Sequence, residues 1–425
     1  MRRSTVSLVA SAVSLACLTA LPVQGQPNVP NIEKLKQMKV SGTDPNIPTV
    51  PQTGKNADLL RENLKRVKLP PGFKIDLYAV VPDARSMAIA PSTNMLFVGT
   101  RKTTVWAVTN RNSGDAATEV KEFAPSLKFK NPNAVCWTKD GFLFVIESNR
   151  VLNFPAAEFF YEGPDVAVAE VVPQGQLIPP DEESFNHSGR VCRIGPDNKL
   201  YITLGQPFNV QPRDKLALYS KMGIGGIVRM NQDGTGREVF ASGVRNSVGM
   251  DFNPKDKTLW FTDNQTDGMG DEIPKGEINR ASQAGQFFGY PYIVSQTRIT
   301  EFGYDKDPIP AGAVNPQVMT DAHAADLGMS FYTGKQFPAK YQGGFFSAQH
   351  GSWNRTKPIG ARLLFTSLKP DGTADKTEIF AEGWLDDETG TYRGRPVDVQ
   401  MAKDGSLLVS DDYAGAIYRI TYNAR

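Results

Sequence analysis

The sequence feature that most constrains the fold is a pattern that recurs six times after residue 70. Each copy has a short apolar strand, a turn rich in Asp, Gly, Asn or Lys, and a second apolar strand. The equivalent positions in the first strands are Met87, Cys136, Cys192, Met250, Met329 and Val399. Successive copies begin about 50 to 80 residues apart, which suits one four-stranded blade with its loops. The repeat predicts an all-β fold, a six-bladed β-propeller of four-stranded blades.

The two ends of the repeat predict how the ring closes. The segments that precede a new copy share one signature, as in Arg237-Glu-Val-Phe-Ala-Ser-Gly243 and Thr377-Glu-Ile-Phe-Ala-Glu-Gly383. The last copy ends at Tyr418-Arg-Ile-Thr-Tyr422 without such a segment, whereas Phe73-Lys-Ile-Asp-Leu-Tyr-Ala79 stands before the first copy. We therefore expect the N-terminal strand to complete the last blade, which removes an exposed sheet edge.

The residues before the repeat predict export. A positive start, Met1-Arg-Arg3, precedes the apolar stretch from Val6 to Leu21, and the small residue Gly25 follows. These features predict a cleaved signal peptide over residues 1–25 and a periplasmic or secreted protein. An uncleaved anchor, or a lipoprotein attached at Cys17, is the alternative. No later apolar run is long enough to span a membrane.

The mature chain divides into two predicted parts. Residues 26–69 are a Pro-rich N-terminal segment, in which residues 26–55 are expected to form a tether and residues 58–68 a short helix. Residues 70–425 are the predicted propeller domain. Cys136 and Cys192 hold equivalent positions in neighbouring blades, and this placement predicts separate buried thiols, although export permits a disulfide.

Composition excludes several classes of protein. The 425 residues carry 47 Lys and Arg against 45 Asp and Glu, so we expect no nucleic-acid partner. Three Cys and three His are too few for a multi-zinc protein or a disulfide scaffold. No Gly-x-Gly-x-x-Gly leads from a strand into a helix, so a nicotinamide or flavin site lacks support, and no Cys-x-x-Cys-His is present for a c-type haem.

Propeller closure predicts which loops share one face. The loops before the first strands and after the second strands surround the channel mouth, and all three histidines (His187, His323 and His350) fall in them. This placement favours a functional mouth. His187 is the best candidate for a base near neutral pH, because cations beside it would lower its pKa and keep it neutral. The alternative is a structural histidine.

Five arginines fall in the same loops with few carboxylates nearby: Arg190, Arg245, Arg355, Arg393 and Arg395. Arginine binds carboxylates through two parallel hydrogen bonds, so these residues predict a small, planar, polyanionic ligand. Two cations flanking Gly394 would repel each other without an anion. For Arg190 and Arg362 the alternative is a salt bridge at a blade edge.

One loop is rich in oxygen ligands and glycine, Asp263-Asn-Gln-Thr-Asp-Gly-Met-Gly-Asp-Glu272. Calcium takes six to eight such oxygens, including backbone carbonyls, so the loop predicts a Ca²⁺ site. Its spacing is not that of an EF-hand. A solvated acidic turn is the alternative.

Several short motifs resemble one known family, the soluble PQQ-dependent sugar dehydrogenases, and their sorbosone dehydrogenase-like branch in particular. The resemblance covers residues 70–423. The motifs, in chain order, are Asn186-His-Ser-Gly-Arg190, Gly243-Val-Arg-Asn-Ser-Val-Gly249, Asp271-Glu-Ile273, Gly289-Tyr-Pro291, Leu327-Gly-Met-Ser-Phe-Tyr332, His350-Gly-Ser-Trp-Asn-Arg355 and Tyr392-Arg-Gly-Arg-Pro-Val-Asp398.

The resemblance implies a propeller that holds pyrroloquinoline quinone (PQQ) and Ca²⁺ at the channel mouth and oxidises aldose sugars or related aldehydes. It implies that His187 takes the anomeric hydroxyl proton as hydride passes to C5 of the quinone, with Arg245 near the reactive carbonyls. The residues expected to bind the cofactor are Asn133, Arg190, Arg245, Asn246, His323, His350, Asn354, Arg355, Arg393 and Arg395. Which of His350, Asn354 and Arg355 replaces the family's cofactor-contacting lysine stays open.

The resemblance also implies a metal set and partners. Backbone carbonyls near Thr266 and Asp267 would hold Ca²⁺, with Asp271 and Glu272 bracing the loop or holding a second ion; Gln265 completes the expected set. The substrate would be a small sugar or aldehyde, and an external quinone or cytochrome would accept the electrons. Two other functions stay open. A calcium-dependent lactonase would want several carboxylate and Asn ligands in the channel and would not need paired arginines. A non-catalytic propeller that binds peptide or glycan would show exposed aromatics on the rim, where the sequence offers only Trp353 and Tyr413.

Overall fold

The repeat forms six sheets arranged in a ring. The computed structural model describes residues 46–111 and 114–423, so the predicted signal peptide, residues 1–25, lies outside the described residues. The innermost strands of consecutive sheets contact one another in order, and those of the sixth and first sheets also meet. The predicted six-bladed β-propeller is confirmed.

The strands follow the repeat closely. The first strand, β1 (Phe73–Val80), belongs to blade six. Blade one is β2 (Met87–Ile89), β3 (Leu96–Val98), β4 (Val105–Thr109) and β5 (Glu119–Phe123). Blade two is β6 (Ala134–Trp137), β7 (Phe142–Ile146), β8 (Val151–Pro155) and β9 (Ala169–Val172). Blade three contains β10 (Cys192–Ile194), β11 (Leu200–Leu204), β12 (Gly226–Met230) and β13 (Glu238–Ser242).

The later blades carry insertions. Blade four is β14 (Met250–Phe252), β15 (Leu259–Asp263), β16 (Glu277–Ala281) and, after an insertion, β20 (Val318–Met319). The insertion holds β17 (Gln286–Phe287), β18 (Ile293–Val294) and β19 (Thr297–Arg298). Blade five is β21 (Asp326–Phe331), β22 (Phe345–Gln349), β23 (Arg362–Leu368) and β24 (Ala374–Ala381). The hairpin of β25 (Leu385–Asp386) and β26 (Thr391–Tyr392) leads to blade six, with β27 (Pro396–Met401), β28 (Leu407–Asp411) and β29 (Ala416–Tyr422).

Blade six closes the ring as expected. β1 pairs antiparallel with β29, with Phe73 opposite Tyr422 and Ile75 opposite Ile420. The strand order is β27, β28, β29, β1, so the N-terminal strand covers the edge that the last copy leaves open. Phe73 packs edge-on against Phe337, with ring centroids 4.8 Å apart, which anchors the closing strand to blade five.

The N-terminal segment packs on the propeller. Helix α1 (Lys55–Leu64) begins earlier than predicted, and it buries Ala57, Leu60 and Leu64 along one face. The tether prediction is wrong for the described part of that segment, because the Val50 N–H donates to the Val120 carbonyl, 2.9 Å away. The other helical elements are α2 (Ala157–Phe160), α3 (Leu216–Met222) and 3₁₀ segments at Pro180–Glu182, Arg213–Lys215, Glu301–Lys306 and Ala339–Tyr341.

The prediction of two separate thiols is wrong. Cys136 and Cys192 form a disulfide. Their strands β6 and β10 are neighbours in the ring, and the equivalent positions lie opposite each other with Cα atoms 5.9 Å apart. That separation lies within the range a disulfide needs, so equivalent positions on adjacent inner strands favour the bond.

Two further features of the fold are an additional strand in blade three and the lack of a membrane-spanning helix among the described residues. In the insertion of blade four, β17 adds a parallel fifth strand to blade three beside β13, which ties the two blades together. Within residues 46–111 and 114–423, no helix is long and apolar enough to cross a membrane.

Candidate active site

A cavity of about 700 Å³ opens at the mouth of the ring. It is lined by loops before the first strands and after the second strands, as the repeat predicts, and it collects all three histidines. The predicted site residues that line it are His187, Arg245, Asn246, Gln265, Asp267, His323, His350 and Asn354.

His187 lies in the loop before β10 on left-handed backbone, with φ 53°. Its Nδ1 lies 2.5 Å from the Gln206 carbonyl oxygen. A carbonyl only accepts hydrogen bonds, so Nδ1 carries the proton and Nε2 keeps its lone pair. Burial first, and then Arg245 and Arg190, lower the pKa of His187 to about 4. The ring is therefore neutral at pH 7 and has one nitrogen able to take a proton.

Gly205, directly after β11, makes room for His187. A Cβ atom at this position would lie 2.4 Å from Asn246 Oδ1 and 2.9 Å from His187 Cβ. The backbone of Asn246 is fixed, because its N–H donates to Asp263 Oδ1 over 2.8 Å, and the Cβ atom would also lie 2.8 Å from the His187 carbonyl oxygen. A side chain at Gly205 would therefore displace His187 or Asn246.

Arg245, which precedes β14, is held by backbone carbonyls. Its Nε donates to the Asn209 carbonyl at 2.9 Å and its Nη1 to the Asn264 carbonyl at 3.1 Å. The nearest carboxylate oxygen, Asp267 Oδ2, lies 3.5 Å from Nη2. Carbonyl oxygens orient a guanidinium without neutralising it, so Arg245 keeps a positive charge close to His187.

Arg190 is held in the same way and lies beneath the cavity. Its Nε donates to the Ser148 carbonyl at 3.0 Å and its Nη1 to the His187 carbonyl at 3.2 Å. In the described part of the chain it forms no salt bridge, so the blade-edge alternative is wrong, and burial lowers its pKa to about 10. Asn133 is also buried there and donates to the Arg190 carbonyl. We call His187, Arg190 and Arg245 the base side.

Another part of the cavity wall is built on charge pairs. Arg85 Nη1 donates to Asp412 Oδ2 over 2.6 Å, and His350 Nε2 lies 2.7 Å from Asp412 Oδ1. Burial lowers the pKa of His350 to about 4, so this ring is neutral at pH 7 and donates its Nε2–H. Arg101 and Lys102 line the same cavity. We call Arg85, Arg101 and Lys102 the cation side.

His323 and Asn354 fix the predicted metal loop. His323 Nε2 donates to the Gly270 carbonyl at 2.8 Å, while Asn354 Nδ2 donates to Asp267 Oδ1 at 2.6 Å. The Asn354 amide also lies 3.2 Å from His323 Nδ1. These bonds tie loop 263–272 to blade five and place the Asp267 carboxylate at the cavity.

Arg355, Asp271 and Glu272 brace that loop from outside the cavity. Arg355 Nη2 donates to Glu272 Oε1 over 2.6 Å, and Asp271 accepts the Thr356 N–H. The expectation that few carboxylates neutralise the rim arginines is therefore wrong for Arg355. Within the described residues, no three His, Cys, Asp or Glu side chains converge to hold a metal ion.

The expected pair Arg393 and Arg395 does not line the cavity. Arg393 pairs with Asp386 at 3.1 Å, which supplies the anion that we expected from a ligand. Arg395 donates to the His350 carbonyl at 2.9 Å and lies 4.9 Å above the Tyr392 ring centroid. Both arginines support the hairpin of blade six beside the cavity. Similarly, Arg362 pairs with Asp321, as the blade-edge alternative predicts.

A buried carboxylate pair lies below the metal loop. Asp263 ends β15 directly opposite Glu277, the first residue of β16. Burial, and next the Glu277 carboxylate, raise the pKa of Asp263 to about 7. Gln265 Nε2 donates to Asp263 Oδ2 at 3.0 Å, so this side chain belongs to the pair, and Thr266 is fully buried beside it.

Several lining residues were not selected from the sequence. Arg85, Arg101 and Lys102 occupy loops that the repeat places at the mouth, so their position was the available signal. Phe185 is 89% exposed at the cavity and Trp353 77%. Phe185 lies two residues before His187. Asp412 directly follows a second strand, so the repeat places it at the mouth, but its partners Arg85 and His350 could not be predicted from the sequence. The pairing of Glu277 with Asp263 could not be predicted either.

Comparison with protein-family models shows which family the chain belongs to. The model of the glucose/sorbosone dehydrogenase family matches residues 176–419. The chain belongs to this family. An uncharacterized protein of Borreliella burgdorferi is 37% identical over 248 residues, and the aldose sugar dehydrogenase YliI of Escherichia coli is 25% identical over 266 residues. Each match covers 57% of this chain and 62% of the relative.

Solved structures of this family's fold resemble the chain over most of its length. The holo form of the pyranose dehydrogenase PQQ domain from Coprinopsis cinerea has a TM-score of 0.67 at 16% identity, covering 89% of this chain and 99% of that one. The apo-form soluble aldose sugar dehydrogenase of Escherichia coli has a TM-score of 0.57 at 17% identity, covering 83% and 100%. At these identities the likeness shows the shared propeller, and the family membership stands on the family model.

Proposed function

We propose that this member of the glucose/sorbosone dehydrogenase family oxidises aldose sugars or related aldehydes at the cavity, with PQQ and Ca²⁺ as cofactors. The observation that carries the proposal is the state of His187. Its Nδ1–H is used by the Gln206 carbonyl, and its neutral ring keeps Nε2 available in a cavity that a sugar-sized molecule can enter. Such a nitrogen is what a general base needs.

The residues present fit a polyanionic cofactor. Five Lys and Arg side chains line the cavity against three Asp and Glu side chains, so the cavity attracts carboxylates. The expected cofactor-binding residues that line the cavity are Arg245, Asn246, His323, His350 and Asn354, and these would contact PQQ. Arg190 and Asn133 would support them from below, and Arg355, Arg393 and Arg395 from outside the cavity wall.

The metal loop fits a hard cation. Calcium prefers carboxylate and carbonyl oxygens, and both Asp267 and Gln265 line the cavity, with the buried Thr266 between them in the chain. These three residues would hold Ca²⁺, whereas Asp271 and Glu272 would brace the loop through Thr356 and Arg355. A cation at Asp267 would also offset charge on a bound carboxylate.

The chain's own residues would supply binding, orientation and proton transfer. When bound, PQQ would supply the two-electron acceptor for the hydride of the anomeric carbon, and an external quinone or cytochrome would remove those electrons. His187 Nε2 takes the proton of the anomeric hydroxyl, because Nδ1 is already protonated. Arg245, fixed by the carbonyls of Asn209 and Asn264, keeps that imidazole neutral before the transfer and stabilises negative charge developing nearby.

Reconstitution tests this proposal. Apo-protein is titrated with PQQ in the presence and absence of Ca²⁺, and dye reduction is followed with a panel of aldoses and aldehydes. We expect saturable PQQ absorbance changes that a calcium chelator prevents, and dye reduction with at least one aldose. Absence of both a spectral change and dye reduction would overturn the proposal, whereas hydrolysis of a sugar lactone would support the lactonase.

A further inference from the structure

Some of the Lys and Arg side chains that line the cavity have carboxylate partners and others do not. Of the five Lys and Arg side chains that line it, Arg85 pairs with Asp412, Lys130 with Glu183 at 2.8 Å, and Arg245 lies 3.5 Å from Asp267. In the described part of the chain, Arg101 and Lys102 form no ion pair. They are consecutive residues in the loop after β3, so the uncompensated charge gathers at one place.

The loop that carries this charge is held firmly in position. Gly99 approaches the backbone of blade two so closely that a Cβ atom there would lie 2.3 Å from the Asn133 carbonyl oxygen. The Arg101 N–H donates to Asp83 Oδ2 at 2.8 Å, and the Lys102 carbonyl accepts the Asn131 N–H at 2.9 Å. The backbone is thus fixed while the two charged side chains remain free to bind.

Arg85 lies beside this loop, and Asp412 offsets its charge. It is buried at the cavity wall, its Nε donates to Asn133 Oδ1 at 2.7 Å, and its Nη1 donates to Asp412. The Arg85 N–H donates to the Gly99 carbonyl at 3.0 Å, which brings Arg85 next to the loop of Arg101. Arg85, and next burial, lower the pKa of the Arg101 guanidinium, although Asp412 and Asp83 act in the opposite direction. An anion between them would relieve that repulsion and receive several charge-assisted hydrogen bonds.

We propose that the cation side binds an anionic group of the substrate, so that the preferred substrates are acidic aldoses that carry a carboxylate or a phosphate. This inference rests on the proposed function and names its substrate class. The base side reacts with the anomeric end of the sugar, and Arg101 and Lys102 hold its anionic group. Neutral sugars lack this contact and bind more weakly.

The test compares one neutral sugar with two acidic ones. Glucose, glucuronate and glucose 6-phosphate are assayed with the reconstituted protein, and their binding to the apo-protein is measured by calorimetry. The variant is Arg101→Gln/Lys102→Gln. The matched control is Lys139→Gln/Lys335→Gln, which removes two exposed charges outside the cavity.

We expect kcat/KM to be at least about tenfold higher for an acidic sugar than for glucose, and the Arg101→Gln/Lys102→Gln variant to remove that preference while the control keeps it. Added salt should weaken acidic-sugar binding to the apo-protein. Glucuronate and glucose 6-phosphate distinguish a carboxylate site from a phosphate site.

Three results would overturn the inference. The first is oxidation of glucose as efficient as that of both acidic sugars. The second is an equal loss for all three sugars in the variant together with weaker PQQ binding, which would assign the cation side to the cofactor. The third is apo-protein that binds neither acidic sugar. Failure of the proposed function would give a different result. No sugar would then reduce the dye, but calorimetry would still detect binding of the acidic sugars to the apo-protein.

Discussion

The base side and the cation side of the cavity hold their charges differently. On the base side, Arg190 and Arg245 donate mainly to backbone carbonyls, and the His187 Nδ1 does the same. On the cation side, Arg85 and His350 share the carboxylate of Asp412. Carbonyl partners orient a group and leave its charge in place, whereas a carboxylate partner neutralises it. The arrangement therefore keeps a neutral base beside Arg190, which forms no salt bridge among the described residues, and Arg245, whose carboxylate partner Asp267 lies 3.5 Å away.

The largest expected effect separates catalysis from binding on the base side. His187→Asn removes the Nε2 lone pair but keeps a small polar group, so turnover with the best aldose should fall about 10³-fold. PQQ binding should change by less than about threefold, because the residues that contact the cofactor remain. Stopped-flow dye reduction and PQQ titration measure the two quantities on the same preparation. Turnover within tenfold of the wild type would exclude His187 as the base.

The second prediction tests the carboxylate that supports the cation side. Asp412→Asn leaves the buried Arg85 charge without its partner, so the free energy of unfolding should fall by about 3 kcal/mol. Urea unfolding of the apo-protein measures it. The control is Asp404→Asn, which removes a partly exposed pair with Arg419 and should cost less than about 1 kcal/mol. Equal losses of unfolding free energy in the two variants would show that the buried pair stabilises the fold no more than the partly exposed pair.

A third prediction concerns the space around His187. Gly205→Ala would force Asn246 and His187 apart, so kcat should fall by about tenfold while the fold is kept. Gly114→Ala, at a position with no atom within 4 Å of the added carbon, is the control and should leave kcat unchanged. Circular dichroism verifies folding of both variants. An unchanged kcat in Gly205→Ala would mean that the imidazole position tolerates displacement.

The fourth prediction is a pH dependence of stability. The folded pKa of His187, about 4, lies below its ordinary value of 6.5. The unfolded chain therefore binds more protons between pH 6.5 and pH 4, and the stability contributed by the neutral ring is lost as the pH falls through that window. Thermal unfolding at pH 7 and pH 4.5 should show a larger decrease for the wild type than for His187→Asn. Identical decreases would contradict a depressed pKa.

The sequence predicted the frame well because the frame repeats. Met87, Cys136 and Met250 each mark an inner strand, and the closing role of β1 followed from the missing segment after Tyr422. Loop positions also predicted that the three histidines share one cavity. These features depend on local periodicity and on ring closure, both of which are written along the chain.

The hydrogen-bond, ion-pair and disulfide partners of individual residues could not be predicted from the repeat. Arg393 and Arg395 were predicted to bind an anionic ligand. In the structure, Arg393 pairs with Asp386 and Arg395 donates to the His350 carbonyl. The disulfide was missed because equivalent repeat positions become neighbours only when adjacent blades pack together. Conversely, Arg101 and Lys102 could be singled out only from the structure, in which the other Lys and Arg side chains of the cavity pair with carboxylates.

The most direct test of the central claim is ¹⁵N NMR of the imidazole rings in apo-protein labelled at histidine. The chain has three histidines, so single His→Asn variants assign every signal. We expect His187 to be protonated on Nδ1 alone at pH 7 and to titrate with a midpoint near pH 4. A proton on Nε2 at pH 7, or a midpoint near 6.5, would contradict a neutral His187 poised to accept the proton of the sugar.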